Sequence, residues 1–246
     1  MDIQGIQAVS DILRRGLEEC GLAGRADPCA VRNLSGYCRM LLDKNREMNL
    51  TAITDPVDAA RLHMLDCAAL LNCATLEGGK TLIDVGTGAG FPGMVLKMLV
   101  PSLEVTLLDS LNKRLDWLTE VCGALSLQGV HTVHRRAEEA GLDPALRERF
   151  DFATARAVAD LRVLCELCLP FVKVGGRLLA MKSVGADEEV EGARAAIRTL
   201  GGQVERCFDY AIPGAGVAHR VVVVEKTAPT PAKYPRRWAK IQKAPL

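Results

Sequence analysis

The chain has 246 residues, 49% of them apolar and 25% charged, close to the globular average, which excludes wholesale disorder and suits one sizeable domain or one domain with a small appendage. Its 31 Lys and Arg against 30 Asp and Glu leave a net charge of +1. That balance excludes a uniformly basic, histone-like protein and leaves room for local basic patches.

The opening Met1-Asp2-Ile3-Gln4-Gly5-Ile6 has no basic stretch leading into an apolar one, so no secretory leader is expected. Ile6, Val9, Ile12, Leu13 and Leu17 recur at helical spacing, and Val31, Leu34, Tyr37, Cys38, Leu41 and Leu42 repeat the pattern, which predicts two amphipathic helices. Asp55-Pro56 reads as an N-cap followed by Pro at the first helical position, opening a third helix towards Asn72. The break at Glu77-Gly78-Gly79 closes this N-terminal helical region, placed at residues 1–75.

Residues 76–226 have a different texture. Short β-rich runs at Thr81–Val85, Val105–Leu108, Val130–His134, Phe150–Ala155 and Arg177–Met181 are separated by helical stretches at Met94–Leu99, Lys113–Leu125, Leu161–Leu169 and Glu188–Leu200. Strands alternating with helices in this way predict an α/β fold with a parallel sheet covered on both faces. Val204–Ile212 and Ala218–Glu225 are joined only by Pro213-Gly214-Ala215-Gly216-Val217, too short a link for a parallel crossover, so they form an antiparallel hairpin. The polar, Pro-rich stretch 227–246 is a basic C-terminal tail, and there is no internal repeat.

No apolar run approaches the roughly 18 residues of a membrane span; Val163 to Val174 is interrupted by Glu166 and Lys173. Nine cysteines scattered through the chain suit free thiols in a reducing cytoplasm better than a disulfide framework. Cys165-x-x-Cys168 is the one CxxC and lies on an apolar helix, so no metal is expected.

The densest signal is Leu82-Ile83-Asp84-Val85-Gly86-Thr87-Gly88-Ala89-Gly90-Phe91-Pro92-Gly93, a glycine loop closing the first strand and opening a helix, where backbone can approach a nucleotide ligand. Gly88, Gly90 and Gly93 formally match the dinucleotide pattern. Two features favour S-adenosylmethionine (SAM) over a nicotinamide dinucleotide. Asp84, within the strand, can sit near the cationic amino-acid end of SAM, whereas it repels a pyrophosphate. The hairpin at the sheet edge is the usual finish of SAM methyltransferases. Asp109, ending the second strand, can take both ribose hydroxyls of either cofactor. The fold expected is therefore Rossmann-like, a class I SAM methyltransferase with a mostly parallel seven-stranded sheet.

Asn49-Leu50-Thr51, His63-Met64-Leu65-Asp66, the Gly86–Gly93 loop, Leu107-Leu108-Asp109-Ser110 with Lys113-Arg114, Arg136-Ala137-Glu138-Glu139 and Ala155-Arg156-Ala157 fall in the order found in the glucose-inhibited division protein B family, the small-subunit rRNA methyltransferases G. The chain resembles that family from about Arg39 to its C-terminus, where Lys233-Tyr234-Pro235-Arg236-Arg237 is similar to the end of many members. It departs from the family with Cys67 where a serine is usual and Leu62 where a basic residue is frequent. The resemblance implies methyl transfer from SAM to N7 of guanine 527 in bacterial 16S rRNA. It carries cofactor contacts onto Gly86, Phe91, Ala137, Glu138 and Arg156. With the loop and second-strand residues, the expected cofactor site comprises Asp84, Gly86, Gly88, Gly90, Phe91, Asp109, Ser110, Ala137, Glu138 and Arg156.

Guanine N7 carries a lone pair and no proton, so it requires neither a general base nor a covalent intermediate. The stretch Ala153-Thr154-Ala155-Arg156-Ala157 lacks the Asn/Asp-Pro-Pro-aromatic motif of amine methylation, and the single Pro-Cys, Pro28-Cys29, is far from the loop in sequence. His63 and Asp66, three apart on one helix face, and Arg156 are the only candidates for a catalytic role. Phosphate contacts are expected from Lys113, Arg114, Arg135, Arg136, Lys226, Lys233, Arg236, Arg237, Lys240 and Lys243, with Tyr234 and Trp238 available to stack on bases. The expected partner is 16S rRNA or the small ribosomal subunit, met by a cytoplasmic monomer. A small-molecule methyltransferase and a SAM-binding, non-catalytic ribosome-associated protein are the alternatives.

Overall fold

A computed structural model describes residues 3–156 and 159–246. The start of the opening hexapeptide (Met1, Asp2) and the last residue of Ala155-Arg156-Ala157 lie outside the described residues.

Helix α1 (Ile3–Glu19) buries Val9, Leu13 and Leu17. Helix α2 (Pro28–Met48) begins at an Asp27 cap whose carboxylate accepts from the amides of Cys29 and Ala30, and it buries Val31, Leu34, Tyr37, Cys38 and Leu41. Asp55 caps α3 (Pro56–Ala59) in the same way, with Pro56 at the first position, where the missing N–H is no loss. The chain continues without a break through a π-helical turn (Ala60–Leu65), α4 (Asp66–Ala68) and a 3-10 turn (Ala69–Asn72). The π turn adds one residue to the ring and buries His63, the kind of irregularity that re-aims a polar side chain inward.

The sheet has seven strands: β1 (Thr81–Val85), β2 (Glu104–Asp109), β3 (Val130–His134), β4 (Phe150–Arg156), β5 (Val172–Ser183), β6 (Gly202–Ala211) and β7 (Ala218–Lys226), in the order β3-β2-β1-β4-β5-β7-β6. The first five pair in parallel; β7 is antiparallel to both β5 and β6. Helices α5 (Gly93–Leu99), α6 (Asn112–Ala124), α7 (Ala137–Ala140), α8 (Leu161–Cys168), α9 (Asp187–Thr199) and α10 (Trp238–Lys243) complete the chain. Alternate strand residues feed two cores. Leu82, Leu107, Phe152, Leu179 and Val223 pack with α5, α6 and the N-terminal helices, and Ile83, Leu108, Ala153, Leu178 and Val224 pack with α8 and α9. The strand order reverses at β1, so a crevice opens at the C-terminal ends of β1, β2 and β4, the position where open α/β sheets bind ligands.

The C-terminal stretch corrects one expectation. Lys226 and Arg236 were candidate phosphate contacts, yet Lys226 is fully buried and its Nζ donates to the carbonyls of Leu169 and Val172 and to Thr230 Oγ1. Arg236 forms a fork on Glu166, at 2.8 and 2.6 Å. The physical reason is Glu166 itself: a carboxylate buried on an apolar helix must be paired, and the returning chain supplies the partner. Tyr234, expected to stack on bases, is buried as well. Lys233, Arg237, Lys240 and Lys243 remain exposed.

Candidate active site

The glycine loop turns sharply after β1. Gly86, Gly88 and Gly90 have φ of 70, 58 and 88°, conformations only glycine adopts without cost. The amides of Gly86 and Thr87 both donate to the Leu108 carbonyl, at 2.8 and 3.0 Å, tying the loop to β2. Tyr37 of α2 reaches under the loop and donates its hydroxyl to the Ala89 carbonyl. A Cβ on Gly90 would lie 2.5 Å from Tyr37 Oη and 2.6 Å from Met94 Cγ.

Asp84 lies beneath this loop, fully buried. Its Oδ2 accepts from Thr87 Oγ1 at 2.6 Å and from the Gly93 amide at 2.9 Å, while Oδ1 has no partner among the described residues. Burial pushes its carboxyl up to about 6.

Beside the loop is a cleft of about 300 Å³. Gly86, Asp109, Ser110, Ala137, Glu138 and Arg156, all expected in the site, line it. Asp84, Gly88, Gly90 and Phe91 are not among its lining residues; Asp84, Gly90 and Phe91 are buried and Gly88 is half-buried. Asp109 is held by the amides of Gly88 (to Oδ2) and Leu111 (to Oδ1), each at 2.9 Å, with Arg114 at 3.6 Å. Glu138 accepts from Arg136 Nε at 2.5 Å. Trp238, from the returning C-terminus, closes one side. The basic residues here are therefore already engaged: Arg135 with Asp143 at 2.6 Å, Arg136 with Glu138.

A second cavity of about 680 Å³ is lined by His63, Asp66, Lys182, Glu189 and His219, and again by Arg156. Arg156, at the end of β4, thus belongs to both. It donates Nη1 to the Leu62 carbonyl (3.1 Å) and Asp66 Oδ2 (3.3 Å) and Nη2 to His63 Nδ1 (3.0 Å). Its guanidinium also lies 4.7 Å from the centre of the Phe91 ring, which stacks on His63 at 4.6 Å. Buried Asp66 accepts on Oδ1 from Tyr210 Oη (2.7 Å) and His219 Nδ1 (2.8 Å).

The state of His63 follows from its partners. Arg156 offers only donors, so Nδ1 accepts, and the ring proton sits on Nε2, donated to Thr51 Oγ1 at 2.8 Å. Burial, and secondarily the Arg156 charge, pull its pKa down to about 3. Both ring nitrogens are occupied, so His63 has no lone pair for a substrate proton. Its geometry orients Arg156 and Phe91.

The three candidates for a catalytic role therefore converge on one cavity. Tyr210 and His219 were missed. They oppose each other in the β6–β7 register, and reading that register from the five-residue link was the available signal. Among the described residues no cluster of His, Cys, Asp and Glu is arranged to hold a metal, all nine cysteines are unpaired, and no helix is long and apolar enough to cross a membrane.

Residues 30–211 match the GidB family, described as rRNA small subunit methyltransferase G. Proteins named ribosomal RNA small subunit methyltransferase G from Alkaliphilus metalliredigens and Symbiobacterium thermophilum are 45% and 46% identical to this chain over 235 and 240 residues. The alignments cover 96% and 94% of this chain and 98% of each relative. Among solved structures, a SAM-dependent O-methyltransferase from Thermotoga maritima aligns with a TM-score of 0.52 at 16% identity, over 78% of this chain and 73% of that one; at that identity the likeness is one of fold.

Proposed function

Because the chain belongs to the rRNA small subunit methyltransferase G family, a family of SAM-dependent rRNA methyltransferases, we propose that it methylates N7 of an unpaired guanine in small-subunit rRNA, guanine 527 of 16S rRNA by family resemblance. The observation that carries this reading is the shared position of Arg156, one residue forming a wall of both the cleft at the glycine loop and the larger cavity beside it. A donor held in the first and a base held in the second meet at that wall.

The cleft fits SAM. Asp109, fixed by two backbone amides at the end of β2, retains acceptor capacity for a ribose diol. Ala137 and Glu138 follow β3, and Gly86 leaves backbone open to close approach. The unpartnered Oδ1 of Asp84 adds a buried negative charge that suits a cationic ligand and would repel a pyrophosphate. When bound, SAM supplies a methyl group activated by its sulfonium. Asp84, through Thr87 and the Gly93 amide, and Gly88 and Gly90, through their left-handed backbone, hold the loop's shape, and Phe91 backs Arg156.

The chain's own contribution to the transfer is orientation. Guanine N7 has no proton to lose, and the neutral, doubly hydrogen-bonded His63 offers no base. Aligning reactants can supply about 7–11 kcal/mol of a barrier, and the Arg156–His63–Asp66 network is built to hold geometry. N7 lies on the edge that faces the deep major groove of an RNA helix, closed to side chains, so the target must be unpaired to enter the cavity. Residues 1–75 then serve as one wall of that cavity, 76–226 as the cofactor domain, and exposed Lys113, Lys233, Arg237, Lys240 and Lys243 as phosphate contacts. We assign this work to a monomer in the cytoplasm, where small subunits are assembled.

The test uses purified protein, methyl-labelled SAM and small subunits from cells lacking the endogenous N7 methyl group. Label recovered as 7-methylguanosine at one position is the expected result. Label in another nucleoside, or none with SAM bound, overturns the assignment.

A further inference from the structure

The C-terminal 20 residues have no acidic residue after Glu225 and five lysines and arginines beyond Lys226 that a composition argument would leave in solvent. The chain does something else with them. After β7 the amides of Thr227 and Ala228 close onto the Gly201 carbonyl. The Thr230 amide donates to Glu148 Oε1 at 2.7 Å and its hydroxyl to the Leu200 carbonyl at 2.8 Å. Arg147 clamps the next stretch, donating to the carbonyls of Thr230 and Tyr234 at 2.7 and 2.8 Å. Arg236 then pairs with buried Glu166 through its backbone amide as well as its side chain. Ile241, fully buried, fixes α10 from behind.

This strap delivers one side chain to the cofactor cleft. Trp238, the first residue of α10, is half-buried and lines the cleft with Leu167 and Ala137. The Arg136 guanidinium lies 5.3 Å from its ring centre, on a residue whose Nε also holds Glu138. The rest of the cleft wall sets two carboxylates, Asp109 and Glu138, and four arginines beside the aliphatic side chains of Val85, Leu108 and Leu167. A nucleoside cofactor needs polar partners for its sugar and amino-acid ends and a flat apolar surface for its purine, and among the described residues Trp238 is the only aromatic ring lining this cleft.

Building on the SAM reading above, we propose that Trp238 is a cofactor-binding residue, its indole forming an aromatic wall against the purine ring of SAM. The strap is then part of the cofactor site, and its buried ion pair positions a ring that an unanchored tail would leave in solvent. The other aromatic of the tail, Tyr234, is buried within the strap and takes no part.

The chain has two tryptophans, and the other, Trp117, is buried against Tyr37 at a ring distance of 6.1 Å, away from the cleft. Both indoles emit, so the difference between wild type and Trp238→Phe, which keeps Trp117, isolates the response of Trp238. The experiment titrates the full-length protein with SAM and with S-adenosylhomocysteine, followed by fluorescence and by calorimetry. A saturable emission change is expected at the calorimetric Kd. Trp238→Phe should lose that change and hold Kd within a few-fold. Trp238→Ala should raise Kd about 5- to 150-fold, the range that loss of one base–aromatic stack implies. An emission change that survives undiminished in Trp238→Phe, or wild-type affinity in Trp238→Ala, overturns the proposal; so does a change elicited by a guanine-containing RNA oligonucleotide and not by S-adenosylhomocysteine. Should Trp238→Ala lose its cooperative melting transition, the wild-type and Trp238→Phe titrations still decide. A wild-type protein that bound SAM without any response at Trp238 would leave the methyltransferase reading standing and remove this one; failure to bind SAM at all would remove both.

Discussion

Arg156 Nη2 donates to His63 Nδ1 at 3.0 Å, joining the last residue of β4 to the π-helical turn of the N-terminal region. The two residues are 93 positions apart, and the contact makes the wall between two cavities out of two parts of the chain. The same guanidinium reaches the Leu62 carbonyl and Asp66 and lies over Phe91. A planar fork can serve all four; an ammonium cannot.

Replacing Arg156 with Lys preserves the charge and removes the fork. The expected outcome is a fall in kcat for methyl transfer of about 100-fold, the scale of a 1 Å misplacement in an aligned pair of reactants, with the fold intact by circular dichroism. Steady-state kinetics on small subunits measure it. A variant within threefold of wild type would mean that the shared wall does not set the alignment.

His63 makes a prediction about pH. Its folded pKa is pulled down to about 3 from an ordinary value of about 6.5. The unfolded chain therefore binds the proton first, so the contribution of neutral His63 is complete above pH 6.5 and is lost as pH falls towards 3. Asp84 has the opposite sign: its carboxyl, raised to about 6, costs stability as pH rises from about 4 to 6. The two offset one another in the wild type, so the difference from His63→Asn is the clean quantity. Wild type minus variant should fall by about 2 kcal/mol between pH 6.5 and 5, measured by denaturant unfolding across the range. The transfer rate should show no limb assignable to His63 between pH 6 and 8. A flat difference would place water, or a second charge, beside the imidazole.

What could be read from the sequence follows the range of the interactions. The N-caps at Asp55 and the glycine loop after Asp84 are local patterns, and both appear where expected. Asp109 is legible because it ends a strand whose pattern is unambiguous, whereas Arg156 is singled out by the family resemblance, with its place after an apolar strand in support. The links to Asp66 were harder: Tyr210 and His219 are 144 and 153 residues downstream, and only the β6–β7 register brings them back. Glu166 shows the limit most plainly. The sequence marks it as a charge interrupting an apolar run, and physics requires a partner, yet nothing local says that the partner is Arg236. By sequence alone Arg236 reads as a phosphate contact, and only the fold brings Glu166 to it.

The loop itself can be tested through Gly90. With φ of 88° and a Cβ position 2.5 to 2.8 Å from Tyr37 Oη, Met94 Cγ and Leu118 Cδ2, alanine meets both backbone strain and collision. All three atoms belong to fully buried core side chains fixed by their own packing. Gly90→Ala should cost about 2–4 kcal/mol, combining a left-handed conformation with overpacking, seen as a lower denaturation midpoint. Gly88 has φ of 58° and only the Gly86 carbonyl within 4 Å, at 3.9 Å, so Gly88→Ala carries the strain alone and should cost about 1–2 kcal/mol. Equal losses at the two positions would show that strain, and not contact with Tyr37, governs the loop.

The buried pair beneath the strap separates charge from packing. Glu166 is fully buried, and Arg236 holds it with three hydrogen bonds of 2.9, 2.8 and 2.6 Å. Removing one partner of such a pair leaves an uncompensated ion in an apolar site and typically costs about 3–5 kcal/mol, whereas replacing both with apolar residues of similar size is often near neutral. Arg236→Met should therefore destabilise the protein by that amount, and the double variant Glu166→Met with Arg236→Met should recover most of it, apart from the amide bond that Glu166 also accepts. Because Trp238 follows two residues later, the single variant should also weaken SAM binding, and the double variant should restore it to the extent that the strap redocks. Denaturant unfolding of the two variants, each with and without saturating SAM, measures both terms. If Arg236→Met cost less than about 1 kcal/mol, the carboxylate would have found another donor, and the strap would be held by its remaining anchors, Arg147, Lys226, Thr230 and buried Ile241.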